Sequence, residues 1–265
     1  MFRPRVIPIL LLKGKGLVKS VKFKNYNYIG DPINAVKIFN DLKVDELVLL
    51  DILATKENRT ISLDFVLKVG DEANMPFAVG GGLKTTEEIK NIINAGAEKV
   101  IINSYASVNP DFVKKASDIF GSSTIVVSID VKSKIFGNNQ VYSFGGTKST
   151  GYFPIEYARL MEKKGAGEII INSIEHDGMM KGYHIDLVAK LAKSIHIPVV
   201  AVGGAGNLNH MSQVLKETYI SAVGAGSMFV FHGPRNAVLV NYPTQEQLKS
   251  LIRESIIWRF VVKVY

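Results

Sequence analysis

The chain repeats itself at a distance of nearly half its length. The segment PFAVGGG, Pro76 to Gly82, returns as PVVAVGG, Pro198 to Gly204, and the pair Asn103-Ser104 returns as Gly226-Ser227. Aligned on Val79-Gly80-Gly81 with Val202-Gly203-Gly204, and on Ser104 with Ser227, both offsets are 123 residues in a chain of 265. A duplicated half is the reading that follows, and it restricts the fold to architectures made of two matching units. In each half a short apolar run ends in glycines, and about twenty residues later another ends in a small polar residue where a helix is due to start. Bare glycines let the backbone approach an oxyanion, and helix starts offer unpaired N–H groups with a favourable dipole. The repeat therefore predicts two phosphate sites.

Hydrophobic periodicity yields eight strand candidates, at residues 5–12, 46–52, 76–80, 99–103, 124–131, 168–172, 198–202 and 221–225. Most are followed by an amphipathic helical pattern. Thr85-Thr-Glu-Glu with apolar residues at helical spacing behind it is one, with a hydroxyl cap and acids in the first turn. Continuous apolar strands alternating with such helices mean a parallel sheet covered by helices. Eight units in two matching halves predict one α/β domain, a closed (β/α)8 TIM barrel with a two-fold half-barrel repeat. The chain length suits it, since such barrels run to about 250 residues. The barrel is expected over residues 1–231, with a divergent helix or tail packed on it over residues 232–265.

Composition narrows the chemistry. There is no cysteine, which removes disulfides, thiol nucleophiles and cysteine metal sites together. The net charge of +8 fits an anionic ligand or partner. The lysines are dispersed without a basic, aromatic-interleaved stripe, so nucleic acid is not expected. The histidines lack a ligand spacing, and the glycine runs do not form a dinucleotide fingerprint; neither metal nor cofactor is expected. Arg3 and Arg5 precede the apolar run Val6 to Leu12, but that run contains Pro8 and leads into charge without a cleavage site. A first barrel strand explains it, no run approaches a membrane span, and a cytoplasmic location is expected.

In a barrel of this kind the ligand site lies at the C-terminal ends of the strands. Two acids end strands there, Asp130 after IVVSI and Asp51 after LVLL. A partly desolvated carboxylate at that place serves as general acid or base; the other reading of either is a helix cap or an acid that orients a loop. The repeat sets Ile129-Asp130-Val131-Lys132 against Leu10-Leu11-Leu12-Lys13, so Leu11 occupies the position symmetric to Asp130. Leucine moves no proton.

The ordered set Leu50-Asp-Ile, Val79-Gly-Gly-Gly82, Ala97-Glu-Lys-Val-Ile-Ile-Asn103, Ile129-Asp-Val-Lys132, Thr150-Gly151, Gly165-Ala-Gly-Glu168, Asp177-Gly178 and Gly203-Gly-Ala-Gly206 resembles the cyclase subunit of imidazole glycerol phosphate synthase. The similarity covers about residues 5–231. It implies a barrel that binds a substrate with two phosphate ends, docks a glutaminase subunit on the N-terminal face, and passes ammonia along its axis to the substrate. The products would be imidazole glycerol phosphate and aminoimidazole carboxamide ribotide, in histidine biosynthesis. Carried over by position, Gly81, Gly82, Asn103 and Ser104 resemble one phosphate site, and Asp177, Gly178, Gly203, Gly204, Gly226 and Ser227 the other. Arg5, Glu46, Lys99 and Glu168 resemble a ring of alternating charges at the ammonia entrance. Asp130 falls on a catalytic acid, Asp51 is a candidate support for it, and Lys19 resembles a loop lysine that closes on substrate.

The departures from that family point elsewhere. Its first catalytic aspartate falls on Leu11, Asn172 stands at a usual threonine, Gly145 at a common loop serine, and the chain beyond Phe231 does not resemble the family's terminus. Two readings stay open. One is a lyase or synthase subunit working without its first aspartate. The other is a diverged paralogue that conducts ammonia from its glutaminase to a third amidotransferase protein, for sugar amidation to acetamidino groups in surface polysaccharide synthesis.

Overall fold

The computed structural model describes residues 3–133 and 139–261, with side chains to Glu254. Residues 1, 2, 134–138 and 262–265 of the two expected segments lie outside the described residues. The chain forms a closed (β/α)8 TIM barrel. Its parallel strands are β1 (Arg5–Lys13), β2 (Leu47–Asp51), β3 (Phe77–Gly80), β4 (Lys99–Ile102), β5 (Ile125–Ser133), β6 (Glu168–Ser173), β7 (Val199–Val202) and β8 (Ala222–Ala225). Each pairs with the next, β8 pairs with β1 in the register Arg5↔Ala222, and β5 pairs with β6 in the register Asp130↔Asn172. All eight fall on the strands expected from the sequence, within two residues at either end.

The helices covering them are α1 (Pro32–Asp41), α2 (Leu63–Glu72), α3 (Thr86–Asn94), α4 (Pro110–Phe120), α5 (Pro154–Lys163), α6 (Ile185–Ala192), α7 (Leu208–Thr218) and α8 (Gln245–Val261). Their starts are written locally. At α3 the Thr85 hydroxyl accepts from the Glu88 N–H at 3.2 Å while Glu88 accepts from the Thr85 N–H at 2.8 Å, a reciprocal cap that satisfies two otherwise orphaned donors. Asp31 caps α1 ahead of Pro32, and Ser62 caps α2.

The strands read as unbroken apolar runs because both faces are covered, yet they still alternate. On β1, Val6, Leu10 and Leu12 pack outward under the helices, while Ile7 and Ile9 face the axis with Val48, Ala78, Ile101, Val126, Ile170, Val200, Val202 and Ala222. Leu11 and Leu50, half-buried, cap this inner cluster. Burying each such side chain stabilises the fold by roughly 1.5–3 kcal/mol, so the inner face of the barrel is an apolar core of its own.

Two features have no counterpart among the expected elements. An antiparallel hairpin, Gly16–Val21 with Lys24–Gly30, rises from β1 and turns through Lys22 and Phe23, both at positive φ. Asn139–Ser143 folds back on β5, pairing Asp130 with Tyr142. After β8 the chain makes a short antiparallel pair, Phe231–His232 with Ala237–Val238. Tyr242 then donates to the Val6 carbonyl at 2.8 Å, and Leu248 and Leu251 of α8 enter the outer core. Among the described residues no helix is long and apolar enough to cross a membrane.

Candidate active site

The β1 hairpin and the loops after the strands enclose a cavity of about 830 Å³ at the C-terminal mouth of the barrel. Every residue assigned from sequence to a phosphate site lines it: Gly81, Gly82, Asn103 and Ser104 from β3 and β4, and Asp177, Gly178, Gly203, Gly204, Gly226 and Ser227 from the loops after β6, β7 and β8. Lys19, Asp51, Leu11 and Asp130 line it as well.

The glycines belong to their places for steric reasons. Gly82, at φ +69°, approaches the Arg59 carbonyl so closely that any Cβ would collide with it. Gly204, at φ +109°, stands in the same relation to the Gly182 carbonyl, and Gly178, at φ +71°, to that of Ser20. Side chains there would meet both backbone strain and a rigid neighbour. Ser104 starts a single helical turn, and its hydroxyl accepts from the Phe144 N–H at 3.0 Å.

Asp130 is the acid that the fold aims at the cavity. It is 7% exposed, accepts from Asn103 Nδ2 at 2.8 Å and, at a long 3.5 Å, from Asn172 Nδ2. Burial, opposed by the Asn103 hydrogen bond and reinforced by the charge of Asp177, pushes its carboxyl up to about 7. A group balanced near neutrality both gives and takes a proton. Leu11, four strands away, lines the same cavity from β1 and has nothing to exchange.

Asp51 is placed differently. Its carboxylate accepts from the Leu53 and Ala54 N–H groups at 3.0 and 3.2 Å and from Arg59 at 2.5 Å. Those bonds describe an acid that organises the loop after β2, the second of the roles open to it from sequence. Arg59 was not singled out by sequence reasoning; the spacing of eight residues between acid and arginine gives no signal of the pairing.

Lys19 lies on a strand of the hairpin rather than in an irregular loop. It is 4% exposed, and its ammonium donates to the Ile9 carbonyl beside Gly226. Burial draws its pKa down and pushes that of Asp177 up, while the attraction between the two works against both shifts. Ser20, also unremarked in the sequence, donates to Asp177 at 3.4 Å, and Lys22 N–H bonds the Asp177 carbonyl at 2.9 Å. The hairpin is thus fastened to the loop carrying Asp177 and Gly178.

At the opposite end of the axis the four charges meet. Lys99 donates to Glu46 at 3.1 Å and to Glu168 at 2.9 Å, and Arg5 donates to both glutamates. Glu46 and Glu168 are 4% and 5% exposed, so the ring is a desolvated ionic plug under the inner apolar cluster.

His184 caps α6 by accepting from the Leu187 N–H at 3.2 Å, and His176 bonds the Ser173 hydroxyl at 2.8 Å. No group of three His, Cys, Asp or Glu among the described residues is arranged to hold a metal ion.

Comparison with known proteins places the chain in a family. The sequence model of a family described as "Histidine biosynthesis protein" matches residues 5–234. A "Putative imidazole glycerol phosphate synthase subunit hisF2" of Pseudomonas aeruginosa is 46% identical over 248 residues, covering 94% of this chain and 99% of the relative. A Vibrio vulnificus counterpart ending in hisF3 is 41% identical over 253 residues, 95% of this chain and 97% of its own. The "Imidazole glycerol phosphate synthase subunit HisF" of Nostoc is 39% identical over 251 residues, 94% and 97% of the two chains.

Proposed function

The chain belongs to the histidine biosynthesis protein family and is of the HisF type, and from that membership we propose that it is the lyase subunit of a glutamine-dependent complex, taking ammonia through its barrel to a ligand with two phosphate ends. A glutaminase subunit on the N-terminal face would release the ammonia. This chain, without cysteine, has no thiol with which to do so itself. The plug of Arg5, Glu46, Lys99 and Glu168 would be the entrance, where a small neutral molecule passes more readily than an ion.

The observation that carries the reading is Asp130, buried between Asn103 and Asn172 at the mouth and held near 7. The glycine sets on either side would seat the two phosphates, with Lys19 closing over the second. Asp130 would move protons as the ammonia nitrogen attacks and ring closure follows, giving imidazole glycerol phosphate and aminoimidazole carboxamide ribotide.

Leu11 favours a second reading. Losing one of two proton-transfer groups costs about 10²–10⁴ in rate, and a chain whose work is to hand ammonia to a third protein tolerates that loss. Sugar amidation in surface polysaccharide synthesis is the corresponding role.

Turnover of the two-phosphate ribotide at high ammonium concentration, by the native chain and by Leu11→Asp, tests the choice. Product from the native chain supports the cyclase. Product from Leu11→Asp alone means intact substrate sites with lost chemistry and supports the ammonia-delivering role. Product from neither, with no binding of the ribotide, rejects the phosphate sites themselves.

A further inference from the structure

Two histidines at either end of the loop between β6 and α6 touch edge to face, with ring centroids of His176 and His184 5.1 Å apart at 63°. Both are half-buried and lie outside the lining of the mouth cavity. Each is tied to its surroundings through Nδ1. His184 precedes α6 and accepts from the Leu187 N–H at 3.2 Å, a capping bond usually made by a serine, threonine, aspartate or asparagine oxygen. His176 meets the Ser173 hydroxyl at 2.8 Å and packs its Cβ beside Gly204. Between the two rings the chain carries Asp177 and Gly178 and closes on the loop after β7, where the Gly182 N–H donates to the Gly204 carbonyl at 2.8 Å.

Such a contact requires neutral rings. An imidazolium carries a proton on both nitrogens and accepts no hydrogen bond, so protonating His184 breaks the cap and sets a positive charge at the helix end that disfavours it. Two imidazoliums in contact also repel. The surrounding charges divide: Glu175 on the same loop favours a proton on His176, and Lys22 at the hairpin turn opposes it. Asp186, in the first turn of α6, faces His184 but is engaged by Lys190 at 2.8 Å. From α7, His210 approaches Gly182 and accepts from the Gly206 N–H at 3.2 Å. Burial, with His184 beside it, holds His176 below the ordinary histidine value of 6.5. Stability from this ring is therefore complete above about 6.5 and is lost as pH falls below it, because the unfolded chain takes up the proton first. We infer that the His176–His184 contact is a pH-sensitive latch, which when neutral holds residues 174–184 against α6 and the loop after β7, and when protonated releases them. The latch thereby sets how firmly Asp177 and Gly178 are held at the mouth.

Amide hydrogen exchange of the full chain at pH 7.5 and pH 5, corrected for the intrinsic rate at each, reads the latch at Leu187 and over residues 174–184. The native chain is expected to lose protection there roughly tenfold on acidification, the worth of a helix cap and one hydrogen bond. His184→Asn keeps a capping acceptor at either pH and should lose less than about threefold; His176→Gln keeps the cap without the second charge and should fall between. Asp177, pushed up by burial, titrates on the side of the loop facing Lys19 and Ser20 and is the same in all three chains, so the comparison cancels it. No loss in the native chain overturns the latch. So does an equal loss in His184→Asn, which assigns the change to Asp177 or His210, or an equal loss in α3, which means a loosening of the whole barrel. Should a variant fail to fold, the native chain alone decides by nuclear magnetic resonance titration. A Leu187 amide signal that shifts as the His184 ring protonates upholds the latch, and one that stays in place overturns it.

Discussion

Asn103 at the end of β4 donates a 2.8 Å hydrogen bond to Asp130 on β5, and Leu11 lines the same cavity from β1. The inward-facing side chains at the mouth are thus polar on β4, β5 and β6, at Asn103, Asp130 and Asn172, and leucines on β1 and β2, where Leu11 and Leu50 cap the inner cluster, with Asp51 and Lys19 lining the cavity beside them. An acid in so one-sided a place has its protonation controlled by burial.

The pH dependence of stability follows from that burial. Asp130 holds its proton to about 7 in the folded chain, whereas an unfolded aspartate releases it near 4. Between those values the native state binds more protons than the unfolded state, so stability from this residue falls as pH rises through the window. Asp130→Asn is expected to exceed the native chain in stability at pH 8 by about 2–4 kcal/mol and to match it near pH 4. Urea denaturation at both values checks this; a difference that does not change with pH refutes it.

The ionic plug should behave as one unit. Lys99→Met leaves Glu46 and Glu168 sharing Arg5 alone, and an uncompensated buried charge costs about 3–5 kcal/mol. Glu168→Gln added to Lys99→Met should recover part of the loss. A double-mutant cycle by thermal unfolding reads the coupling, and simple additivity would mean that the charges act independently.

The glycine at the second site admits a direct steric test. Gly204→Ala forces a methyl group against the Gly182 carbonyl at φ +109°. A loss of about 1–3 kcal/mol is expected from the backbone conformation, together with phosphate affinity weakened at least tenfold. Unchanged inorganic phosphate binding would remove Gly204 from the site.

Asp51 is predicted to matter for the loop rather than for proton transfer. Asp51→Ala releases the Leu53 and Ala54 amides and frees Arg59, at a cost of about 2–4 kcal/mol. Trypsin should then cut at Lys56 or Arg59 faster than in the native chain. An unaltered cleavage rate with a displaced Asp130 titration would instead make Asp51 an electrostatic partner of Asp130.

Much of the architecture can be read along the chain because its causes are local. The eight apolar runs, the Thr85–Glu88 cap and the glycines before tight turns each declare themselves within a few residues. The hairpin does not. Lys24–Gly30 is exposed over most of its length, so no buried face imposes a period, and its turn uses Lys22 and Phe23 where glycine or asparagine would have been the usual sign. The role of Asp51 is equally silent, since one residue of register decides whether a strand-end side chain faces the axis or the loop.

The sequence by itself determined the duplicated half, the order of strands and helices, and the residue types gathered at each end of the barrel. Its local hydrophobic period and turn chemistry are enough for that. Closure of the barrel decided the rest: that Arg5, Glu46, Lys99 and Glu168 neutralise one another, that Asp130 is buried between two carboxamides, and that Asn172 keeps an unsatisfied oxygen against Gly203. Those relations join residues as many as 163 positions apart. The electrostatics of each depend on how much water the packed neighbours exclude, which only the tertiary structure sets.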